Sequence, residues 1–278
     1  KYDRQSGKPL AGVTFEVYRD TVLVGNYTTD DGGEILLSSL TPGTYAVKEV
    51  AAPGTHVVNS SPQQIELKAG NTETATLIFF NSMKPGIHLV KVDSETMKPL
   101  PNATYLISQV GGTFSKEYTT DLNGEIDLTG LEPGAYTVKE VKAPDGYLMD
   151  DGSRIVQINP DENAQFVFTD TRKPSLVVVK YDPQNNKYLA GATFRIAKVE
   201  DGSHYLDRVT DTKGRIDLTG LEPGVYSVQE LSAPEGYIKN DSEYHVELFP
   251  GKTSELVVVN EALPNLKIIK TDAITGEP

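Results

Sequence analysis

The stretch Leu131-Glu132-Pro133-Gly134-Ala135-Tyr136-Thr137-Val138-Lys139-Glu140 decides the fold. Pro presets φ near −65° and Gly accepts positive φ, so Pro133-Gly134 reads as a type II turn. Beyond it Tyr136 and Val138 alternate with Ala135, Thr137 and Lys139. A period of two marks a strand with one face buried. Val13, Phe15 and Val17 alternate in the same way with Thr14 and Glu16, and Asp31-Gly32-Gly33, Asn123-Gly124 and Lys213-Gly214 supply further turns. No segment sustains a helical period. The fold class is all-β.

Working outward, the same stretch stands at Leu40-Thr41-Pro42-Gly43-Thr44-Tyr45 and at Leu221-Glu222-Pro223-Gly224-Val225-Tyr226. Upstream of each copy lies a second shared motif: Lys1-Tyr2-Asp3 with Val13-Thr14-Phe15, Lys91-Val92-Asp93 with Ala103-Thr104-Tyr105, and Lys180-Tyr181-Asp182 with Ala192-Thr193-Phe194. A fourth Lys-x-Asp begins at Lys270-Thr271-Asp272, so the starts are 90, 89 and 90 residues apart. That period is too long for a solenoid and suits small globular domains in tandem. The boundaries fall at 1–84, 85–173 and 174–263, with 264–278 the start of a truncated fourth repeat. Short strands at turn-bounded spacing in about 90 residues imply antiparallel β-sandwiches, immunoglobulin-sized but without that fold's Cys and Trp marks. The three links each hold one proline, Pro85, Pro174 and Pro264, which suits short, stiff joints and a rod.

Composition narrows the function. The net charge of −13 argues against nucleic acid and anionic membrane surfaces as partners. With no cysteine in the chain, disulfides, thiolate metal sites and cysteine nucleophiles are excluded. Apolar runs such as Leu77-Ile78-Phe79-Phe80 are far shorter than the roughly 20 residues of a membrane helix. The opening at Lys1 and the close at Gly276-Glu277-Pro278 read as those of a fragment of a longer protein.

The informative residues are those that break the strand pattern. After each Pro-Gly, the inward face runs Tyr45, Val47, Glu49, then Tyr136, Val138, Glu140, then Tyr226, Val228, Glu230. The last strand of each repeat leads in step to Asn81, Asp170 and Asn260, and the first strand to Lys91, Lys180 and Lys270. A lone polar residue on such a face commonly sits at the rim and reaches water, and common descent alone preserves spacing. Three types at matched spacing nevertheless point to chemistry. Burial drives a Lys and a Glu toward their neutral forms. The neutral amine is a nucleophile, and a protonated Glu can hydrogen-bond the carbonyl of a neighbouring carboxamide and pass a proton to its leaving group. The product is an amide between side chains. The high effective molarity of a pair held by the fold makes a cofactor unnecessary.

The Lys-x-Asp start, the Gly-x-x-Phe strand, the Leu-x-Pro-Gly-x-Tyr turn, the Glu four residues after that Tyr, and the Ala-Pro-x-Gly-Tyr at Ala143–Tyr147 and Ala233–Tyr237 together carry a family resemblance. Residues 1–262 resemble the collagen-adhesin B-type, prealbumin-like domains of Gram-positive surface proteins and pilins. The resemblance implies an intramolecular Lys–Asn or Lys–Asp isopeptide bond catalysed by Glu: Lys1 with Glu49 and Asn81, Lys91 with Glu140 and Asp170, Lys180 with Glu230 and Asn260. Asp170 stands where the family more often has Asn, so its bond would release water rather than ammonia. Repeat 1 has Pro53-Gly54-Thr55-His56 where the others have Pro-x-Gly-Tyr, so the resemblance is weakest there.

The implied function is a structural stalk of a cell-wall-anchored adhesin or pilin, extracellular, on a Gram-positive bacterium, with its own neighbouring domains as partners. The alternative is a binding module for a host extracellular protein or glycan. Neither is a turnover enzyme, since the reactants are consumed. No cofactor, metal, nucleic acid or membrane contact is expected of this fragment. His56, His88, His204 and His245 lack ligand spacing, and Asp121-Leu122-Asn123-Gly124 has its Gly two places too early for a calcium loop, which leaves a hairpin turn.

Overall fold

The computed structural model describes residues 1–70, 73–201, 205–270 and 276. His204, Thr271 and Asp272 lie outside the described residues. The chain divides into two compact units, one of Lys1–Val92, Thr96–Pro144 and Met149–Thr169, the other of Asp93–Glu95, Asp145–Leu148 and Asp170–Pro278.

The described residues are nearly all strand and turn, with one 3-10 turn at Val199–Asp201. None of their helices is long and apolar enough to cross a membrane. In each repeat one sheet is antiparallel throughout. In repeat 3 its order is Tyr205–Val209, Thr193–Lys198, Gly224–Ser232, Glu243–Leu248, and repeats 1 and 2 follow the same plan around Gly43–Ala51 and Gly134–Lys142. The other sheet contains the first and last strands of the repeat. Here the purely antiparallel expectation is refined, because Ser175–Asp182 pairs in parallel with Thr253–Val259, and Tyr2–Asp3 with Phe80–Asn81. Parallel pairing needs a long crossover, and nearly the whole repeat supplies it.

The turn motif also differs from the type II reading. Gly43, Gly134 and Gly224 have φ of 157°, 149° and 136°, where a type II turn needs a value near +80°. Each glycine opens its strand in an extended positive-φ geometry that a Cβ would oppose. The tyrosine completes the corner, since the hydroxyls of Tyr45, Tyr136 and Tyr226 donate to the carbonyls of Thr41, Glu132 and Glu222 at 2.8, 2.9 and 3.0 Å.

Alternation places the cores as the sequence indicates. Tyr136 and Val138 are buried with Ile87, Leu89, Tyr105, Ile107 and Phe168 in repeat 2, and Val228 with Leu176, Val178, Phe194, Ile196 and Val258 in repeat 3. In repeat 1 Val13, Phe15 and Phe79 are buried together.

Candidate functional site

Strand register brings the pattern-breaking residues together. Lys180 lies opposite Val258 on the parallel neighbour, and Asn260, two residues on, projects from the same face. Asn81 stands in the same relation to Lys1, one place before the Tyr2–Phe80 pair. The glutamate comes from the opposing sheet, where Glu49 pairs with Phe15 and Glu230 with Phe194. Each site thus sits between the sheets, inside the core.

In repeat 1, Lys1 Nζ donates to Glu49 Oε2 at 2.7 Å and to Asn81 Oδ1 at 2.5 Å, while Asn81 Nδ2 donates to Glu49 Oε1 at 2.6 Å. In repeat 3, Lys180 Nζ donates to Glu230 Oε2 at 2.9 Å and to Asn260 Oδ1, and Asn260 Nδ2 donates to Glu230 Oε1 at 2.9 Å. The triangle is the same. In the first unit Lys91 Nζ stands 3.1 Å from Glu140 Oε1. Asp170, in the second unit, is buried near the end of its strand. All nine residues are at least nine-tenths buried, so the rim reading fails for each. Repeat 1 has these contacts despite its departure at His56.

Burial is the largest influence on Lys1 and Lys180 and pulls both ammonium groups below the usual lysine range, against the hydrogen bonds and charges of Glu49 and Glu230. The amines lie over aromatic rings: Lys1 Nζ is 5.7 Å from the centroids of Phe15 and Phe79, Lys91 Nζ 5.5 Å from Tyr105, and Lys180 Nζ 5.5 Å from Phe194. A ring face attracts the cation, yet for Lys1 and Lys180 desolvation is the largest influence. The Phe or Tyr of the Gly-x-x-Phe strand is therefore the wall of the site.

In repeats 1 and 3 one oxygen of the glutamate faces the lysine amine and the other faces the carboxamide nitrogen. This differs in detail from the sequence expectation, which puts Glu on the carbonyl oxygen. That oxygen turns to the lysine instead. The arrangement suits a proton relay, one oxygen receiving from the amine while the other delivers to the departing nitrogen.

The structure also explains motif residues that pattern reading left without a role. Asp3, Asp93 and Asp182, two places after each lysine, are buried. Tyr147 and Tyr237 donate their hydroxyls to Asp93 Oδ2 and Asp182 Oδ2 at 2.9 and 3.1 Å, and His56 Nε2 takes that place 3.0 Å from Asp3 Oδ2. This contact ties the segment after the glutamate strand to the end of the lysine strand. The glycines of the hairpin turns have a second duty. A Cβ on Gly33, Gly124 or Gly214 would meet the carbonyl oxygen of Lys1, Lys91 or Lys180 at 2.5, 2.5 and 2.9 Å. Asp121 Oδ1 accepts the N–H groups of Asn123 and Glu125 at 2.9 and 2.8 Å, the hairpin turn expected there. The sequence signal for all of these was recurrence at matched places in three repeats.

Comparison with known proteins follows the same residues. The profile of the SpaA prealbumin-like fold domain matches residues 1–78, 85–172 and 174–262. The chain belongs to the SpaA prealbumin-like family. Among curated relatives of these SpaA-like repeats, serine-aspartate repeat-containing protein D of Staphylococcus aureus strain Newman is 26% identical over 280 residues, covering 83% of this chain and 21% of that protein. The collagen adhesin of Staphylococcus aureus is 26% identical over 233 residues, covering 70% of this chain and 18% of the adhesin. The chain therefore spans about a fifth of the curated relatives it matches. The Bacillus anthracis TIE protein aligns at 29% identity over 92% of this chain and 49% of that one, with a TM-score of 0.39.

Proposed function

We propose that each SpaA-like repeat forms an isopeptide bond between its first and last strands, and that the chain is a covalently stiffened stalk segment of a Gram-positive adhesin or pilin, outside the cell and anchored to its wall. The observation that carries this is the buried glutamate of repeats 1 and 3, one oxygen on the lysine amine and the other on the asparagine amide nitrogen. The amine attacks Cγ and the C–N bond forms. The lysine's proton passes to one glutamate oxygen, the other oxygen protonates the amide nitrogen, and ammonia leaves. In repeat 2 the corresponding condensation of Lys91 with Asp170 expels water. Each reaction occurs once per repeat and consumes its reactants, which makes the glutamate a catalyst for a single turnover rather than the centre of an enzyme. Tension that enters by the first strand and leaves by the last then runs through the amide.

Intact mass spectrometry of the purified chain tests this. The expected mass is the sequence mass less two ammonias and one water. In the Glu230→Ala chain, Lys180 and Asn260 should stay unjoined, raising the mass by one ammonia relative to that expectation after allowing for the substitution. An undiminished sequence mass would leave only buried ion-pair clusters.

A further inference from the structure

The glutamate is itself held from outside the triad. In repeats 2 and 3 the residue ten places after it donates a main-chain N–H to its Oε2, Asp150 to Glu140 at 2.9 Å and Asn240 to Glu230 at 2.9 Å. Each donor residue opens an Asx turn, in which its own Oδ1 accepts the N–H two places on, from Gly152 at 2.9 Å and from Ser242 at 2.9 Å. Such a turn fixes the backbone of the residue that begins it. The side chain thereby sets where the N–H points. Asn59 of repeat 1 forms the same turn with Ser61 at 3.2 Å, but among the described residues Glu49 takes its hydrogen bonds from Lys1 and Asn81 only.

In repeat 3 the oxygen held in this way, Oε2, also receives Lys180 Nζ, which leaves Oε1 on Asn260 Nδ2. Rotation of the carboxyl group would take Oε1 away from that nitrogen. A fixed donor at Oε2 opposes the rotation.

We infer that Asn240, and Asp150 at the matched place in repeat 2, are positioning residues for crosslink formation, each using its Asx turn to aim a main-chain N–H at Oε2 of its glutamate; in repeat 3 this keeps the relay oxygens on nucleophile and acceptor. This rests on the isopeptide reading above. In the relay of repeat 3, Oε2 takes a proton from the amine as nitrogen bonds to Cγ, and Oε1 gives one to Nδ2 as the C–N bond breaks. The carboxyl group ends with the protons it began with.

The test compares Asn240→Ala, which removes the turn's acceptor, with Asn240→Asp, which keeps Oδ1, discards Nδ2 and matches repeat 2. Chains made in a short cell-free pulse are sampled over time, and the joined Lys180–Asn260 peptide is followed by mass, with repeat 2 of the same molecule as an internal clock. Asn240→Ala should slow repeat 3 by roughly ten- to a hundredfold, the order that a small misplacement of a reacting group costs. Asn240→Asp should restore the parent rate, and repeat 2 should not change. Equal rates in all three chains would overturn the inference, as would a loss that Asn240→Asp fails to restore. If Asn240→Ala does not fold, Asp150→Ala and Asp150→Asn make the same comparison in repeat 2 against repeat 3. A parent chain that forms no crosslink in any repeat would overturn the isopeptide reading itself, and the positioning role with it.

Discussion

A lysine amine inside a protein core is costly, and what makes it tolerable here is the company of Glu49 and Asn81, or of Glu230 and Asn260. The supporting residues are under equal constraint. Gly214 has φ of +70° and no room for a Cβ between Leu189 N and Lys180 O, at 2.8 and 2.9 Å. Gly214→Ala, introduced into the Glu230→Ala chain so that no crosslink masks the effect, should destabilise repeat 3 by about 1–3 kcal/mol in urea denaturation. Asp182 is held below the usual carboxylate range first by the Asn185 side chain and then by main-chain N–H groups and Tyr237, and Asp3 first by Ser6 and also by His56. A depressed folded-state pKa contributes stability above the unfolded value of about 4, and that contribution is lost as the pH falls through the folded one. The Glu230→Ala chain should therefore lose stability in repeat 3 below about pH 4, and Asp182→Asn should flatten that dependence in a melting series across pH.

At the scale of elements, the decisive feature is the parallel pairing of first and last strands, which places lysine and asparagine on neighbouring strands with their side chains on one face. Two main-chain hydrogen bonds mark the end of the paired backbone among the described residues. Ile238 N–H donates to Glu261 O at 2.9 Å and Leu263 N–H to Gly236 O at 2.8 Å. Beyond Leu263, residues 264–270 carry no strand, and Leu266 and Ile268 are 85% and 83% exposed. A strand that buries no apolar face adds nothing to stability. Deleting residues 267–278 should leave the melting temperature of repeat 3 unchanged. A clear drop would assign the tail to that repeat and move its boundary.

For the whole molecule, each crosslink in repeats 1 and 3 would close a loop spanning 80 residues. By analogy with a disulfide of that span, it would contribute roughly 4–5 kcal/mol by restricting the unfolded chain. Glu230→Ala should therefore lower the calorimetric transition of repeat 3, and an unchanged transition would show that the bond adds no stability.

The sequence by itself determined the β-class and the repeat period, and it picked out nine of the buried polar residues. A strand alternates with period two whatever surrounds it, and three copies of one unit expose any residue that breaks the pattern at a matched place. It also singled out the tyrosine, histidine and glycine positions without their roles. Only the tertiary structure decided what those residues touch: Tyr237 on Asp182, His56 on Asp3, and Gly214 under the lysine strand. The same holds for the parallel pairing of the first and last strands, the orientation of the glutamate and the amides of Asp150 and Asn240 that hold it. These are contacts between segments tens of residues apart, or a direction taken by a main-chain N–H. No periodicity in the chain encodes them, because they arise from register and backbone geometry once the sheets have closed on each other.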